Sequence, residues 1–509
     1  MGKGKKSVKI LVFGLISQIV TLSLGIIIPR LLIVSYGSEI NGLLSSIKQI
    51  FVYVALLEAG IGTAALQALY DPVGNDNREK VSEIMSATSH YYRRTGILYG
   101  LSVVGLAFIY PLIFRSELNT LMIASIILLQ GSSGVIRYFF QGKLIILLRV
   151  DGKSYITTNI ATIVNVATHL VQIVLILCGF NIISVQIAYF VINIAQMIYL
   201  TSYIKKYYGW LDLNAKPDYK ALESSKSVIL HQVSGLVFNN TDVLVLTYFC
   251  GLKVVSVYSL YSLIISCVAS VIDTICSSVE FLLGQAFHTD REKFLKMQDV
   301  YETYYLAISF CFFAITLTML PSFIQLYSKG VTDINYVDKW LPYLFVVLNI
   351  LMYARRTSSQ IINFAGHFKE TQLRSALESV INFGVSLMCV QKIGIYGVLI
   401  GTIVALLYRT NDIIIYANIK ILGRKPWKTY RRWLINTLLL VSCVYLCRKI
   451  IGEADSYVLW LINGIKVSII CFLAFLSVAS LCDISSFAKV MNLIKNNMKS
   501  KKMKIINLS

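Results

Sequence analysis

Charge is scarce in this sequence. Only 14% of its 509 residues are Asp, Glu, Lys or Arg, while 56% are hydrophobic. Soluble domains carry roughly 25% charged residues, so an ordinary water-soluble protein is excluded. Paired cysteines are missing as well. The ten cysteines lie in apolar runs with no C-x-x-C pair, so they encode no disulfide framework and read as small core residues. No Walker A pattern is present, which excludes ATP binding in the P-loop manner. Neither H-E-x-x-H nor G-x-S-x-G occurs. The histidines His90, His231, His288 and His367 are scattered and build no metal constellation, and no cofactor is implied. The basic start (Lys3, Lys5, Lys6, Lys9) leads into an apolar run longer than a signal peptide, without an A-x-A-like cleavage site. No long polar stretch separates the apolar runs, so a large external catalytic domain has no place and an enzyme is not expected.

What the chain has instead is apolar runs of bilayer length, roughly 20 residues each. Fourteen spans are predicted, near 10–34, 42–69, 94–114, 119–142, 156–179, 183–204, 227–250, 254–283, 302–327, 340–365, 373–391, 396–419, 433–451 and 457–481. The fold class is therefore an all-α polytopic membrane protein with about 14 transmembrane helices. The net charge of +21 is dispersed over short loops, which points to membrane topology rather than nucleic acid. With the N-terminus inside, the inner segments hold 33 of the 47 Lys and Arg residues and the outer loops 7. Both termini are thus expected in the cytoplasm. Two inner loops, 71–93 and 205–226, mix charge with Tyr and Pro and are expected to form interfacial helices.

Charges inside spans are the strongest functional signal, because mid-bilayer charge costs at least ~3 kcal/mol on insertion scales. The stretch Pro29 to Pro72 carries Arg30, Lys48 and Glu58 among small residues suited to close helix contact, such as Gly42, Ser45 and Ala59. Arg137 is a further charge in the first half, and Asp242, Asp273, Glu280, Arg355, Arg356, Glu378, Arg409, Asp412 and Lys466 follow in the second. Arginine and lysine at such depths suit a phosphate or other anion, so Arg30, Lys48, Arg355, Arg356 and Arg409 are the candidate substrate-diphosphate residues. Each has a competing reading. Arg30 and Lys48 can snorkel to headgroups, Arg409 can pair with Asp412 one turn on, and Arg355 or Arg356 can pair with Asp242 or Asp273. Glu58, Asp242, Asp273 and Asp412 are candidate coupling or ion-pair acids. His169, Asn165 and Gln172 form a polar stripe at helical spacing, read as inter-helix hydrogen bonding in preference to a ligand site.

A faint internal echo links Gly37 and Gly42-Leu43-Leu44-Ser45 to Gly251 and Ser256-Val257-Tyr258-Ser259, six spans later. The basic start, Pro29-Arg30-Leu31-Leu32, Tyr36-Gly37-Ser38-Glu39-Ile40-Asn41-Gly42-Leu43, Gln49-Ile50, Leu57-Glu58-Ala59-Gly60-Ile61-Gly62 and Tyr91-Tyr92-Arg93-Arg94 carry a resemblance. On them the chain resembles the polysaccharide flippases of the multidrug/oligosaccharidyl-lipid/polysaccharide exporter superfamily, which translocate O-antigen and capsule repeat units. The resemblance implies two six-helix lobes in a V shape, 1–204 and 227–420, joined by a cytoplasmic linker 205–226. Two extra helices (421–482) and a basic cytoplasmic tail (483–509) follow. It implies an undecaprenyl-diphosphate-linked oligosaccharide as substrate, moved from the inner to the outer leaflet of the bacterial cytoplasmic membrane. The implied partners are the lipid bilayer and a polysaccharide polymerase with its assembly machinery. The competing functions are a drug/cation antiporter of the same superfamily, a lipid II flippase and, from another class, a membrane glycosyltransferase or polymerase.

Overall fold

In hydrocarbon a backbone must satisfy its own hydrogen bonds, and apolar runs of this length do so as helices. The computed structural model describes residues 23–58, 60–114, 116–222, 240–452, 454–484 and 487–488, with the side chains at 276–278 and 281 left aside. The basic start, Arg115, His231 and the basic tail from Lys489 lie outside the described residues. Those described contain no strand, and eleven of their helices are long and apolar enough to cross a membrane. The protein is an all-α, multi-pass membrane protein. Each predicted span is largely helical where it is described.

The chain divides into two compact units. One takes the described residues up to Leu260 together with Gly330–Ile334, and the other takes Tyr261–Lys329 and the residues from Asn335 on. In the first unit the helices are α1 (Ser23–Tyr36), α2 (Ser38–Val54), α3 (Ile61–Gly74), α4 (Arg78–Ile113), α5 (Thr120–Ile136), α6 (Gly142–Val150), α7 (Ser154–Leu177), α8 (Ile182–Tyr207) and α9 (240–250). The helix α10 (Leu252–Thr289) starts in this unit and continues into the second. The second unit adds α11 (Arg291–Tyr327), α12 (Leu341–Ala354), α13 (Arg356–Phe364), α14 (Phe368–Ile393), α15 (Ile395–Tyr416), α16 (Trp427–Ile450) and α17 (Tyr457–Cys482).

Two predicted spans are broken helices. The span 42–69 stops at Val54, passes through a 3₁₀ turn at Ala55–Glu58, and restarts after Gly60, whose φ of 85° only glycine adopts readily. The span 340–365 breaks at Arg355, between α12 and α13. Of the two expected interfacial helices, 71–93 is helical, split between the end of α3 and the start of α4. The other expectation is corrected. After Tyr207 the described chain runs as a turn-rich strap with a single 3₁₀ turn at Lys220–Leu222. Asp212 accepts from the Asn214 amide at 2.8 Å and Asp218 from the Lys220 amide at 3.1 Å, local bonds that compete with a helix. The strap docks on the start of α4. Arg78 stacks over Trp210, and the Lys80 ammonium, 2.9 Å from Asp218, holds that carboxyl below its usual range.

Candidate functional site

The packing of α2, α4 and α5 sets the frame of the site. Phe139 packs on Gly96, Tyr99 on Gly134 and Val103 on Gly131, so α4 and α5 run antiparallel with glycines admitting the bulky partner. Phe51 of α2 also meets Gly131. α5 and α8 instead run parallel. Gln130 donates to Gln186 and Tyr189 to Ser133, both at an offset of 56 residues. The helices α1, α2, α5, α7 and α8 surround a cavity of about 1050 Å³.

Its lining is polar in rows. α7 contributes Thr158, Thr162, Asn165, His169 and Gln172, and α8 contributes Gln186, Tyr189, Asn193 and Gln196. Steps of three and four residues put each row on one helix face. After Ile136, α5 widens into a π turn, Arg137–Gln141, which brings Arg137 and Gln141 onto the cavity face together. Lys48 enters from α2. The lining thus holds two cations and seven side-chain amides, with no acidic residue among them. Lys48 and Arg137 are both exposed to the cavity and neither forms an ion pair among the described residues. Such charges stand ready for an anion, which they would bind through charge-assisted hydrogen bonds.

The other sequence candidates fall elsewhere. Arg30 sits between Ile28 and Leu32, which do line the cavity, and so points away from it on α1. Glu58 accepts a hydrogen bond from the Tyr92 hydroxyl. Asp242 is buried and accepts from Tyr258 at 2.9 Å. In the second unit Arg355 donates to Glu378 at 2.6 Å. Arg356 binds Asp273 and, at 2.9 Å, Glu280, two acids that lie seven residues apart on one face of α10. Arg409 pairs with Asp412 at 2.5 Å and reaches Glu378 at 3.6 Å, while Arg374 takes the second oxygen of Asp412. Of the five cations singled out for a diphosphate, the structure therefore leaves Lys48 open in a cavity and engages Arg355, Arg356 and Arg409 with acids.

Two features of the site carry more weight than their sequence signals suggest. Arg137 stands out in the sequence as a span charge with no assigned role toward the substrate. Its signal is the lack of any acid within a turn on its own helix. The stripe Asn165, His169, Gln172, expected to join helices, faces the cavity instead, and His169 meets Gln172 of its own helix at 3.3 Å. The α8 row is uncharged and so escapes a search for span charges, although its spacing is helical throughout.

No protein-family model and no curated protein matches the chain. Solved structures do match its fold. The lipid II flippase MurJ, in an inward closed conformation, superposes with a TM-score of 0.69 at 15% identity, covering 93% of this chain and 100% of that one. A multidrug resistance MATE family transporter of the MOP superfamily, in its inward-facing conformation, gives 0.63 at 15% identity over 80% of this chain and 98% of that one. A MOP superfamily transporter from Pyrococcus furiosus gives 0.51 at 14% identity, covering 80% and 94%. The chain has the fold of MOP-superfamily transporters.

Proposed function

We propose that the protein is a flippase that carries an undecaprenyl-diphosphate-linked oligosaccharide from the inner to the outer leaflet of the bacterial cytoplasmic membrane, by alternating access, for surface polysaccharide synthesis. The observation that carries this reading is the acid-free cavity with Lys48 and Arg137 unpaired among the described residues. A diphosphate is the part of such a substrate that hydrocarbon rejects most strongly, and a cavity cation would replace its water. The amides and hydroxyls around them match sugar hydroxyls, and the prenyl chain stays in lipid. A drug/cation antiporter fits less well, because no acid in the lining would hold a cation. A lipid II flippase is the second reading, favoured by the fold shared with MurJ along nearly the whole chain. Glu58, held by Tyr92, is our candidate for a coupling acid.

The test is deletion of the gene in its host, followed by analysis of lipid-linked oligosaccharides on the inner leaflet. Accumulation cured by the wild-type gene, but not by a well-expressed Lys48→Gln or Arg137→Gln variant, is the expected result. Unchanged surface glycan with no accumulation would overturn the proposal. Accumulation of lipid II alone would replace it with the second reading.

A further inference from the structure

The two cavity cations stand at different depths. The 56-residue offset that pairs Gln130 with Gln186 and Ser133 with Tyr189 continues to Arg137 and Asn193, which share a level. Lys48 precedes Phe51 by about one turn, and Phe51 touches Gly131, so Lys48 lies near the level of Gln130 and Gln186. From Gln130 to Arg137 is two helical turns, roughly 10 Å along the axis at about 1.5 Å per residue. One diphosphate held at Arg137 leaves Lys48 unmatched in a poor solvent, where an uncompensated charge is costly. The chemistry of the two cations also differs. The planar guanidinium binds phosphate oxygens in pairs, whereas the ammonium is a point charge that takes a single anionic oxygen.

Resting on the flippase reading, we infer that the substrate's polar head is negative at two separated places, a diphosphate at Arg137 and an acidic sugar at Lys48, and carries no ammonium group. The amides at both levels, Asn193 and Gln196 near Arg137 and Gln130 and Gln186 near Lys48, accept and donate to the neutral hydroxyls between the two charges.

Three soluble probes test this on the purified full chain in lipid nanodiscs: citronellyl diphosphate, a citronellyl-diphosphate disaccharide that is otherwise neutral, and the same disaccharide ending in glucuronic acid. Isothermal titration should show the glucuronate probe binding about tenfold tighter than the neutral one, as a charge-assisted contact predicts. Lys48→Gln should erase that difference and leave affinity for the neutral disaccharide unchanged. Arg137→Gln should weaken all three probes. Equal wild-type affinity for the neutral and acidic disaccharides overturns the inference alone, as does a Lys48→Gln variant that weakens both equally. A fourth probe, the same disaccharide ending in an unacetylated amino sugar, overturns it too if wild type binds it as tightly as the glucuronate probe. Failure of wild type to bind any probe overturns the flippase reading and this inference together. Melting temperatures of both variants, expected at the wild-type value, separate lost binding from lost fold.

Discussion

The two units use arginine in opposite ways. In the first, Arg137 projects from a π turn into a cavity, with Lys48 nearby and no acid in the lining. In the second, Arg355, Arg356 and Arg409, also inside predicted spans, are tied to Glu378, Asp273, Glu280 and Asp412. A further knot joins Asp299 and Glu302 of α11 to Arg424, Lys428 and Arg432, with Asp483 closing it past the end of α17. An intramembrane cation is therefore evidence of function only after its partners are counted. A paired charge relieves its own desolvation and positions helices. An unpaired one keeps its capacity for a ligand, at a cost to the fold.

Among the paired arginines, Arg432 should matter most to the fold. Its guanidinium is 2.6 Å from both Glu302 and Asp483, and Glu302 is only 1% exposed. Arg432→Ala should cost about 3 kcal/mol, the low end of the penalty for removing one member of a buried ion pair, because Glu302 keeps Arg424 and Thr429. It should appear as a large fall in melting temperature and in monodisperse protein recovered in detergent. A variant as stable as wild type would show that this knot is not structural. Glu378→Gln comes next. It removes the 2.6 Å partner of Arg355, while Arg409 keeps Asp412. We expect a loss of about 1.5–3 kcal/mol, the range for a hydrogen bond to a charged group. A mild result with lost transport would move Glu378 from the structural to the functional side. Gly42→Ala should cost about 1–2 kcal/mol, because an added Cβ would collide with the Leu252 carbonyl, which belongs to backbone and gives way poorly. Thermal unfolding at neutral pH would measure all three against one another.

Much of the fold is legible in the sequence, for a physical reason. A bilayer forces long apolar runs into helices, so hydropathy alone is enough to place most of the helices. Gly37 and Gly251, the pair behind the faint internal echo, both adopt positive φ, at 86° and 81°, immediately before α2 and α10. What stays hidden depends on which helices meet. Arg356 finds Glu280 across 76 residues, and Arg432 finds Glu302 across 130. No periodicity within one helix reports such a partner. Arg424, Lys428 and Arg432 belong by charge to a basic inner loop, yet Lys428 and Arg432, four apart, already have the spacing of a helix face. The strap after α8 passes for an interfacial helix because its charges and tyrosines look amphipathic. The Asp212 and Asp218 turns that prevent a helix act through side-chain to backbone bonds, which hydropathy does not register.

The smallest expected effect on stability is the sharpest check of the comparison. Lys48→Gln and Arg137→Gln each remove a full charge from within a span, the kind of change that at Arg432 should be ruinous. Here the fold should hardly respond, with a difference within about 0.5 kcal/mol, the range for exposed substitutions away from special features. The sign itself is informative. An unpaired cation in a low-dielectric site costs free energy, so replacing it with a neutral amide should leave the protein equal to wild type or slightly more stable. Transport measured in the deletion strain should nonetheless fall in both. A protein that loses function while keeping or gaining stability has given up a charge held for a ligand. A protein that loses both in parallel would place these two cations with the paired arginines of the second unit.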